Sequence, residues 1–427
     1  MASSDQQYSL TSDGLTWIAM DASKLTLTLK PAQDSAVIIS ANADLWTPAA
    51  GVNQDLGIWV SGMDQTVYPD GIVAWKESGG SAAYSPNAAF VQGVIPMTGG
   101  TPYTVSLKWK SNKPAAGSIY TGAGPVNGAY SPTRLIADVI PSSGSQTSSA
   151  VAGQQYRLSG SDGSSWSDLD PSRLAVTVKP SVDSMAIITA NADLWTASAG
   201  YNQDLGIAVA GTDPNVYPAG IVGWKESGGS AAYAPNAATI EALLPVKAGS
   251  SYSIRLQWKI NRPAAGVSIY AGAGSGPAYS PTRLTVRLLS SGSSRQRSSQ
   301  QYSLAGNDGR SWVDLDQANL TLSVSGNGCP LMLSGNADLW TDAAGVNQDL
   351  AVNVNGAIVA WKESGGGASF SPNAAFVQSL IPTTLGTSYD VKLQWKANVS
   401  SRATIHAGAG PIGGAYSPTM LSVQEVC

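Results

Sequence analysis

A dense group of asparagine and aspartate residues recurs three times in the chain, first as Asn42, Asp44, Asn53 and Asp55. Such oxygen ligands suit Ca²⁺, which binds about six to eight oxygens at about 2.3 to 2.6 Å. The same residue types also form Asx-turns that satisfy loop backbone, and we favour this interpretation because the spacing matches no defined calcium loop. The candidate calcium ligands are Asn42, Asp44, Asn53, Asp55, Asn191, Asp193, Asn202, Asp204, Asn336, Asp338, Asn347 and Asp349.

A second recurring group has the sequence WKESGG. On a strand, the adjacent residues Lys76 and Glu77 point to opposite faces, whereas Trp75 and Glu77 share a face. If exposed, the group would stack on and hydrogen-bond a sugar or peptide. If buried, it would form a core or domain-interface contact with a structural ion pair, which we favour; Lys110 is a candidate partner for the glutamate. The candidate ligand-binding residues are Trp46, Trp75, Lys76, Glu77, Trp195, Trp224, Lys225, Glu226, Trp340, Trp361, Lys362 and Glu363.

Several kinds of catalytic site find no support in the sequence. The only histidine is His406, and tyrosines stand at the corresponding positions of the other repeats, so a repeated site cannot use histidine. Zinc sites lack ligands for the same reason, and no phosphate-binding loop is present. Asp44, Asp55 and Glu77 could in principle hydrolyse glycosides, but three near-identical small catalytic domains would be unusual. We therefore expect a protein that is not an enzyme and has no cofactor apart from the calcium considered above.

The composition excludes further classes of partner. Charged residues make up only 12% of the chain, the net charge is −4, and no basic stripe supports nucleic-acid binding. No apolar run approaches the roughly 18 residues that a membrane helix needs. Low charge with many Ser, Thr, Gly, Trp and Tyr is typical of β-rich proteins outside cells. We therefore expect an extracellular or cell-surface location, although the first residues do not resemble a secretory signal.

The recurring groups belong to three long copies of one sequence, each large enough to be a domain. We predict domains at 1–140, 154–289 and 300–427. Ser/Gly-rich segments at 141–153 and 290–299 separate them and are predicted to be flexible linkers. Both cysteines, Cys329 and Cys427, fall in the third copy; a bridge between them and two free thiols are both compatible with the sequence.

Within each copy the apolar residues alternate. Tyr103, Val105, Leu107 and Trp109 are separated by Thr, Ser and Lys, a pattern typical of a half-buried antiparallel strand. Strand candidates recur often enough for a sandwich of about eight strands per copy. The Asn355-Gly356 pair predicts a type I′ hairpin turn, which is expanded in the first two copies. The predicted fold class is all-β, with three tandem antiparallel β-sandwich domains.

The last third of each copy resembles jelly-roll domains of the C1q and tumour-necrosis-factor type. The residues that carry the resemblance in the third copy are GTSYDVKLQWKAN, TIHAGAG and SPTMLSVQEV. PA14-type sandwiches, where a hairpin also precedes an extended strand, are a second resemblance. C1q-like domains usually act as trimers, so the resemblance implies that three copies on one chain could pack as a pseudo-trimer. Three domains arranged in a row are the alternative, because the linkers permit packing without requiring it.

These observations favour a non-enzymatic recognition or assembly protein, such as a fibre, adhesin or structural module. The alternative is a lectin with one glycan site per copy. The expected partners are a glycan, a protein surface, or further copies that pair through sheet edges, since few lysines protect those edges. Exposed clustered tryptophans would favour the lectin, and tryptophans buried between copies would favour assembly.

Overall fold

The computed structural model describes residues 1–142, 146–274, 278–289 and 292–426, and these residues form antiparallel strands. The strands assemble into six sheets, two in each copy. The described residues include no α-helix; the only helical segments among them are two short 3₁₀ turns, Pro69–Gly71 and Pro218–Gly220. The predicted all-β sandwich class is therefore confirmed.

The first copy contains eleven strand segments. They are β1 (Ala2–Ser4), β2 (Tyr8–Thr11), β3 (Ile18–Ala19), β4 (Thr26–Leu29), β5 (Ser35–Trp46), β6 (Gln54–Val60), β7 (Ile72–Ser78), β8 (Asn87–Met97), β9 (Tyr103–Ser111), β10 (Ser118–Thr121) and β11 (Thr133–Pro141).

The second and third copies repeat this order. The second has β12 (Thr147–Ala152), β13 (Tyr156–Ser159), β14 (Ser167–Asp168), β15 (Ala175–Val178), β16 (Ser184–Thr196), β17 (Gln203–Val209), β18 (Ile221–Ser227), β19 (Asn236–Val246), β20 (Tyr252–Ile260), β21 (Ser268–Ala271) and β22 (Thr282–Leu289). The third has β23 (Ser293–Ser298), β24 (Tyr302–Ala305), β25 (Val313–Asp314), β26 (Thr321–Ser325), β27 (Leu331–Thr341), β28 (Gln348–Val354), β29 (Ala357–Ser364), β30 (Asn373–Ile381), β31 (Ser388–Ala397), β32 (Thr404–Ala407) and β33 (Thr419–Glu425).

Each copy is an eight-stranded jelly roll in which three strands are interrupted. In the first copy one sheet has the order β1–β11–β5–β8. β10 continues the row of β11 along the end of β5, and β2, which pairs with β10, continues the row of β1. The other sheet has the order β4–β9–β6–β7, and β3 continues the row of β4 along β9. Successive rows alternate between the two sheets except at β6 and β7, which form a hairpin within one sheet, and this is jelly-roll connectivity. The predicted jelly roll is confirmed at this level.

The alternating strand β9 faces the core with the residues that the sequence predicts. Val105, Leu107 and Trp109 are all buried, and the partner residues of β20 and β31 are buried in the same way. Because side chains point to opposite faces at successive strand positions, the polar residues between them face away from this core. Trp109 packs with Leu56 and Ile58 of β6 inside the sandwich of the first copy.

The hairpin at Asn355-Gly356 is also confirmed. Both residues have positive φ, 50° and 89°, as a type I′ turn requires, and they join β28 directly to β29. In the first two copies the longer tip contains the 3₁₀ turn instead.

The prediction that both Ser/Gly-rich segments are flexible linkers is wrong for part of each segment. Thr147–Ala152 forms β12, which pairs with β22, and Ser293–Ser298 forms β23, which pairs with β33. The backbone hydrogen bonds of a neighbouring strand order these polar residues although they carry no apolar pattern. The other domain boundaries stay a prediction. Cys329 is not a free thiol, and Cys427 lies outside the described residues.

The three copies close into a ring rather than lying in a row. Asn87, Asn236 and Asn373 occupy equivalent positions at the starts of β8, β19 and β30. Each donates its side-chain amide to the Oδ1 of the next, at 3.0, 2.8 and 3.1 Å. Three such bonds in a cycle place these residues around a pseudo-threefold axis, so the predicted pseudo-trimer arrangement is confirmed.

Candidate functional site

The recurring Asn/Asp and Trp-Lys-Glu groups meet at the contacts between copies. Asn42 is buried on β5 and donates its side-chain amide to the carbonyl of Ala89 in its own copy and to that of Phe376 in the third copy, both at 3.0 Å. Asn191 and Asn336 make the same bridges to the preceding copy. Each of these side chains therefore joins the strands of two copies next to the axis.

The aspartate two positions later also reaches across the contact. Asp193 accepts the backbone N–H of Glu77 at 2.9 Å, although the two residues belong to different copies. Asp338 and Asp44 accept the equivalent N–H groups of Glu226 and Glu363, each at 3.1 Å. Burial raises the pKa of Asp338 to about 6, and the nearby Lys225 opposes that shift.

The lysines of the WKESGG group are buried in the same contacts. Lys76 donates its Nζ to the carbonyl oxygen of Pro281 in the second copy. Lys225 and Lys362 donate to Pro418 and Pro132 in the same way, so each lysine crosses to the following copy around the ring. Burial lowers the pKa of all three lysines to about 8, because removal from water disfavours the ammonium form.

The glutamates are held by side-chain amides of their own copies. Glu77 Oε1 accepts Nδ2 of Asn53 at 2.7 Å and Nδ2 of Asn112 at 3.0 Å. Equivalent asparagines hold Glu226 and Glu363. Burial, reinforced by the nearby aspartates, raises the pKa of Glu77 and of Glu226 to about 8, and it raises the pKa of Glu363 well above its usual value.

Each glutamate faces an aspartate across two paired strands. Asp55 on β6 is in register with Glu77 on β7, but it forms its ion pair with Lys110 at 2.5 Å. Asp204 pairs with Lys259 at 2.5 Å, and Asp349 pairs with Lys396. The lysine that was expected to neutralise the glutamate therefore neutralises this aspartate instead. Burial raises the pKa of Asp55, Asp204 and Asp349 to about 6.

Each contact collects acidic and basic groups from both copies. At the first contact Asp193 lies near Lys76, and burial raises the pKa of Glu77 to about 8, which favours its neutral form at pH 7. The buried Arg283 adds a further positive group beside Lys76. Groups of opposite charge in one contact reduce the cost of burying each of them.

The tryptophans of the WKESGG group pack against the next copy. Trp361 lies so close to Gly124 that a Cβ added to the glycine would stand 3.0 Å from the indole. Gly124 also has a φ of +101°, a conformation that favours glycine. Trp75 and Trp224 lie against Gly274 and Gly410 in the same way. Each also meets a tryptophan of its own copy edge-on, as Trp75 meets Trp17 at 6.3 Å between ring centroids. These tryptophans are therefore copy-to-copy contacts.

The tryptophans of the NADLW group lie near the surface instead. Trp46 is half-buried, donates its indole N–H to the carbonyl of Gly122 and stacks on Tyr120 at 4.3 Å. Trp195 stacks on Tyr270, and Trp340 stacks on His406. A further aromatic ring tilts against each indole and was not among the predicted site residues: these rings are Tyr84, Tyr233 and Phe370. Their recurrence in the AAYSPN, AAYAPN and ASFSPN segments is the signal that could have identified them.

Two of the clefts between copies combine both groups of residues. Trp46 and Tyr84 of the first copy line a cavity of about 670 Å³ with Asp349 and Glu363 of the third. Trp340 and Phe370 line a cavity of about 750 Å³ with Asp204, Glu226 and Lys259 of the second. Each of these clefts therefore has an aromatic wall from one copy and a carboxylate floor from another.

The calcium hypothesis stays a prediction. The predicted ligands Asp44 and Asp55 lie in the same copy but face different partners, Lys362 of the third copy and Lys110 of the first. Within the ranges that the structure describes, no group of three or more His, Cys, Asp or Glu side chains is placed to hold a metal ion.

No protein-family model matches the chain, and no curated protein matches it. Solved structures with detectable similarity include that of the infectious bursal disease virus Gx strain, at 11% identity and a TM-score of 0.20, covering 66% of this chain and 75% of that chain. A structure described as the triple jelly roll fold and turret assembly in an archaeal virus has 10% identity and a TM-score of 0.16, covering 98% and 91%. Dimeric latent PorU from Porphyromonas gingivalis has 9% identity and a TM-score of 0.19, covering 93% and 33%. Likenesses this distant carry no argument about function.

No helix in the described part of the chain is long and apolar enough to cross a membrane.

The copies differ at one contact in a way that predicts a stabilising substitution. Ser85 donates to Asn347 Oδ1 at 3.0 Å, and Ser371 donates to Asn202 Oδ1 at 3.1 Å. The second copy has Ala234 at this position, and Oδ1 of Asn53 is buried without a partner among the described residues. Ala234→Ser should supply the missing donor and raise the free energy of unfolding by about 1 kcal/mol, measured by chemical denaturation.

Ser85→Ala and Ser371→Ala are the matched controls and should each lower the free energy of unfolding by about 1 to 3 kcal/mol, because each leaves a buried acceptor unpaired. A destabilising Ala234→Ser would contradict the assignment of this contact.

The raised carboxyl pKa values predict that stability falls as the pH rises from 5 to 8. A folded state with a raised carboxyl pKa binds protons that the unfolded chain has already released. This contribution is fully present below the unfolded pKa and is lost as the pH passes about 6 for Asp55 and about 8 for Glu77. The lysines, with pKa values lowered to about 8, oppose the trend only near and above pH 8.

The melting temperature measured between pH 5 and pH 8 should therefore decrease, and Glu226→Gln should make the decrease shallower, because glutamine stays neutral throughout. An unchanged slope in that variant would show that Glu226 is ionised in the folded protein across the whole range.

Proposed function

We propose that this protein is a non-enzymatic recognition or assembly module, in which one chain supplies the three subunits of a closed jelly-roll trimer. The observation that carries the proposal is the position of the recurring residues. Lys76 and its two equivalents are buried and bond to the following copy around the ring. Residues repeated in all three copies thus serve the contacts between copies.

The resemblance to C1q and tumour-necrosis-factor jelly rolls supports this proposal, since such domains usually act as trimers. A single chain fixes the stoichiometry and presents three equivalent surfaces at fixed spacing. Three weak sites held in this way can gain roughly 10² to 10⁴ in avidity over one site if a target permits simultaneous contact. Action at a cell surface or outside the cell is part of the proposal.

A second candidate function is glycan binding at the clefts. Its specific support is the exposed ring of Tyr84 beside the stack of Trp46 and Tyr120, repeated with Tyr233 and Phe370 in the other copies. Aromatic rings in such open positions can stack on the apolar faces of sugars.

If the contacts hold the ring together, its integrity should not need the connecting segments. Protease sites inserted between Ser142 and Gln146 and between Leu289 and Gly292 would cut the folded chain into three pieces. The pieces should elute as one particle of the intact mass in size-exclusion chromatography with light scattering, because buried hydrogen bonds such as those of Lys76, Asp193 and Asn191 join them.

The control for this experiment combines Lys76→Met, Lys225→Met and Lys362→Met. Each substitution leaves a neighbouring aspartate buried without its lysine, so the cut pieces of this variant should separate. Separation of the pieces in the parent protein would contradict the proposed assembly role of the contacts.

Assembly beyond one chain is expected at the outer sheet edges. β1 and β12 end their sheets and carry no charged side chain, whereas β23 carries Arg295 and Arg297. Uncharged edges offer unpaired backbone groups to another strand. The mass in light scattering should therefore increase with concentration, and Val151→Lys, on the exposed face of β12, should reduce the increase.

Val182→Lys is the matched control, since Val182 is similarly exposed but lies outside the strands. A constant monomeric mass at all concentrations would count against assembly through the edges.

A further inference from the structure

Three aromatic residues are exposed in a backbone conformation that bulky residues rarely adopt. Tyr84, Tyr233 and Phe370 have φ values of 56°, 57° and 54°. Their exposed fractions are 68%, 68% and 66%. Left-handed backbone at such residues is strained, and strain of this kind persists where the surrounding structure enforces it. The same exposed and strained ring in every copy is unexpected if stability alone determined the residue.

Hydrogen bonds on both sides hold the loop of Tyr84 in this conformation. Its N–H donates to the carbonyl of Thr47 at 2.8 Å, and the next residue, Ser85, donates its hydroxyl to Asn347 in the third copy. Two residues further on, Asn87 belongs to the asparagine ring at the axis. The N–H groups of Tyr233 and Phe370 make the same bond to Thr196 and Thr341. These bonds fix the backbone of each aromatic residue, and in the first and third copies the serine that follows also ties it to the neighbouring copy.

The floor of each cleft is formed by carboxyl groups of another copy. Asp204 is buried, its Oδ2 pairs with Lys259, and the residue lines the cleft that contains Phe370. Asp349 and Glu363, which hydrogen-bond to each other, line the cleft that contains Tyr84. The floor is therefore polar, and its charge is compensated within the protein.

We propose that the clefts between copies bind a neutral saccharide, with a sugar ring stacked on Tyr84 or Phe370 of one copy and its hydroxyl groups toward the polar floor supplied by another. This inference rests on the second candidate function and assigns it to residues and to a place in the fold. Each site is composite, because the aromatic ring and the carboxylate come from different copies, so only the closed ring completes it.

The chemistry of the cleft selects this class of ligand. Sugar rings carry C–H groups on their faces, which suit stacking on an aromatic ring, and hydroxyl groups at their edges, which suit a polar floor. The third copy has phenylalanine where the others have tyrosine, so the ring face and not the phenolic hydroxyl is the shared feature. The lysine paired with each aspartate compensates its charge, which favours a neutral ligand over a cation.

The test uses the full chain and the triple variant Tyr84→Gly, Tyr233→Gly, Phe370→Gly. Glycine accepts positive φ without strain, so the melting temperature of this variant should be unchanged or higher. Binding to a glycan array and to insoluble cellulose, chitin, xylan and mannan should weaken roughly tenfold or more, because three stacking surfaces are lost together. Quenching of tryptophan fluorescence by a soluble oligosaccharide from the best-bound class should disappear in parallel, since Trp46 and Trp340 line the clefts.

The matched control is Leu385→Gly with Val182→Gly, which removes exposed apolar side chains outside both clefts and should leave glycan binding unchanged. Absence of binding to every glycan and polysaccharide by the parent protein would overturn the proposal. Binding that survives in the triple variant would also overturn it, as would a lowered melting temperature without any loss of binding, because the rings would then be structural. None of these results would affect the association of the cut pieces, so failure of the saccharide site and failure of the assembly role can be distinguished.

Discussion

The ring depends on the burial of a lysine ammonium group between each pair of neighbouring copies. Removal of such a group from water costs several kcal/mol unless its charge and its hydrogen bonds are compensated. For Lys76 the carbonyl of Pro281 and the carboxylate of Asp193 supply that compensation, and both belong to the next copy. A single copy would contain the lysine without its partners, so each jelly roll needs the neighbour that follows it. Three copies on one chain keep that neighbour at high effective concentration.

The contacts between copies are more polar than those of a typical sandwich core. Asparagine amides bridge adjacent strands near the axis, and further asparagines donate hydrogen bonds to the glutamates, whose pKa is raised by burial. Such groups add little stability compared with apolar packing, but they are satisfied in only one arrangement of the copies. The cycle formed by Asn87, Asn236 and Asn373 illustrates this, because each side chain is at once donor and acceptor and a shift of one copy would break two bonds. Specific geometry is therefore the main consequence of these polar residues.

The same repeated segments place different residues inside the contacts and at their edges. Trp361 lies against a glycine of the neighbouring copy, whereas Trp46 stacks near the surface at the rim of a cleft. Tyr84 follows the WKESGG group by a few residues and is exposed beside that rim. The contact that holds two copies together thus also brings an aromatic surface of one copy next to the carboxylates of the other. The contact between copies and the proposed saccharide site are therefore parts of one arrangement.

The sequence alone determined the fold within each copy, because strand burial follows a local period of two. Alternation identified Trp109 as a core residue, and Asn355-Gly356 identified a hairpin, since a type I′ turn depends on only two residues. The strands β12 and β23 could not be recognised, because hydrogen bonds to a distant strand order these serine-rich segments and no local pattern reports such bonds. Only the tertiary structure decided that Lys76 bonds to the next copy, that Lys110 pairs with Asp55 rather than Glu77, and that Tyr84 is exposed at a cleft. Each of these contacts joins residues that are far apart in the chain, and their partners are determined by the docking of whole domains rather than by neighbouring residues.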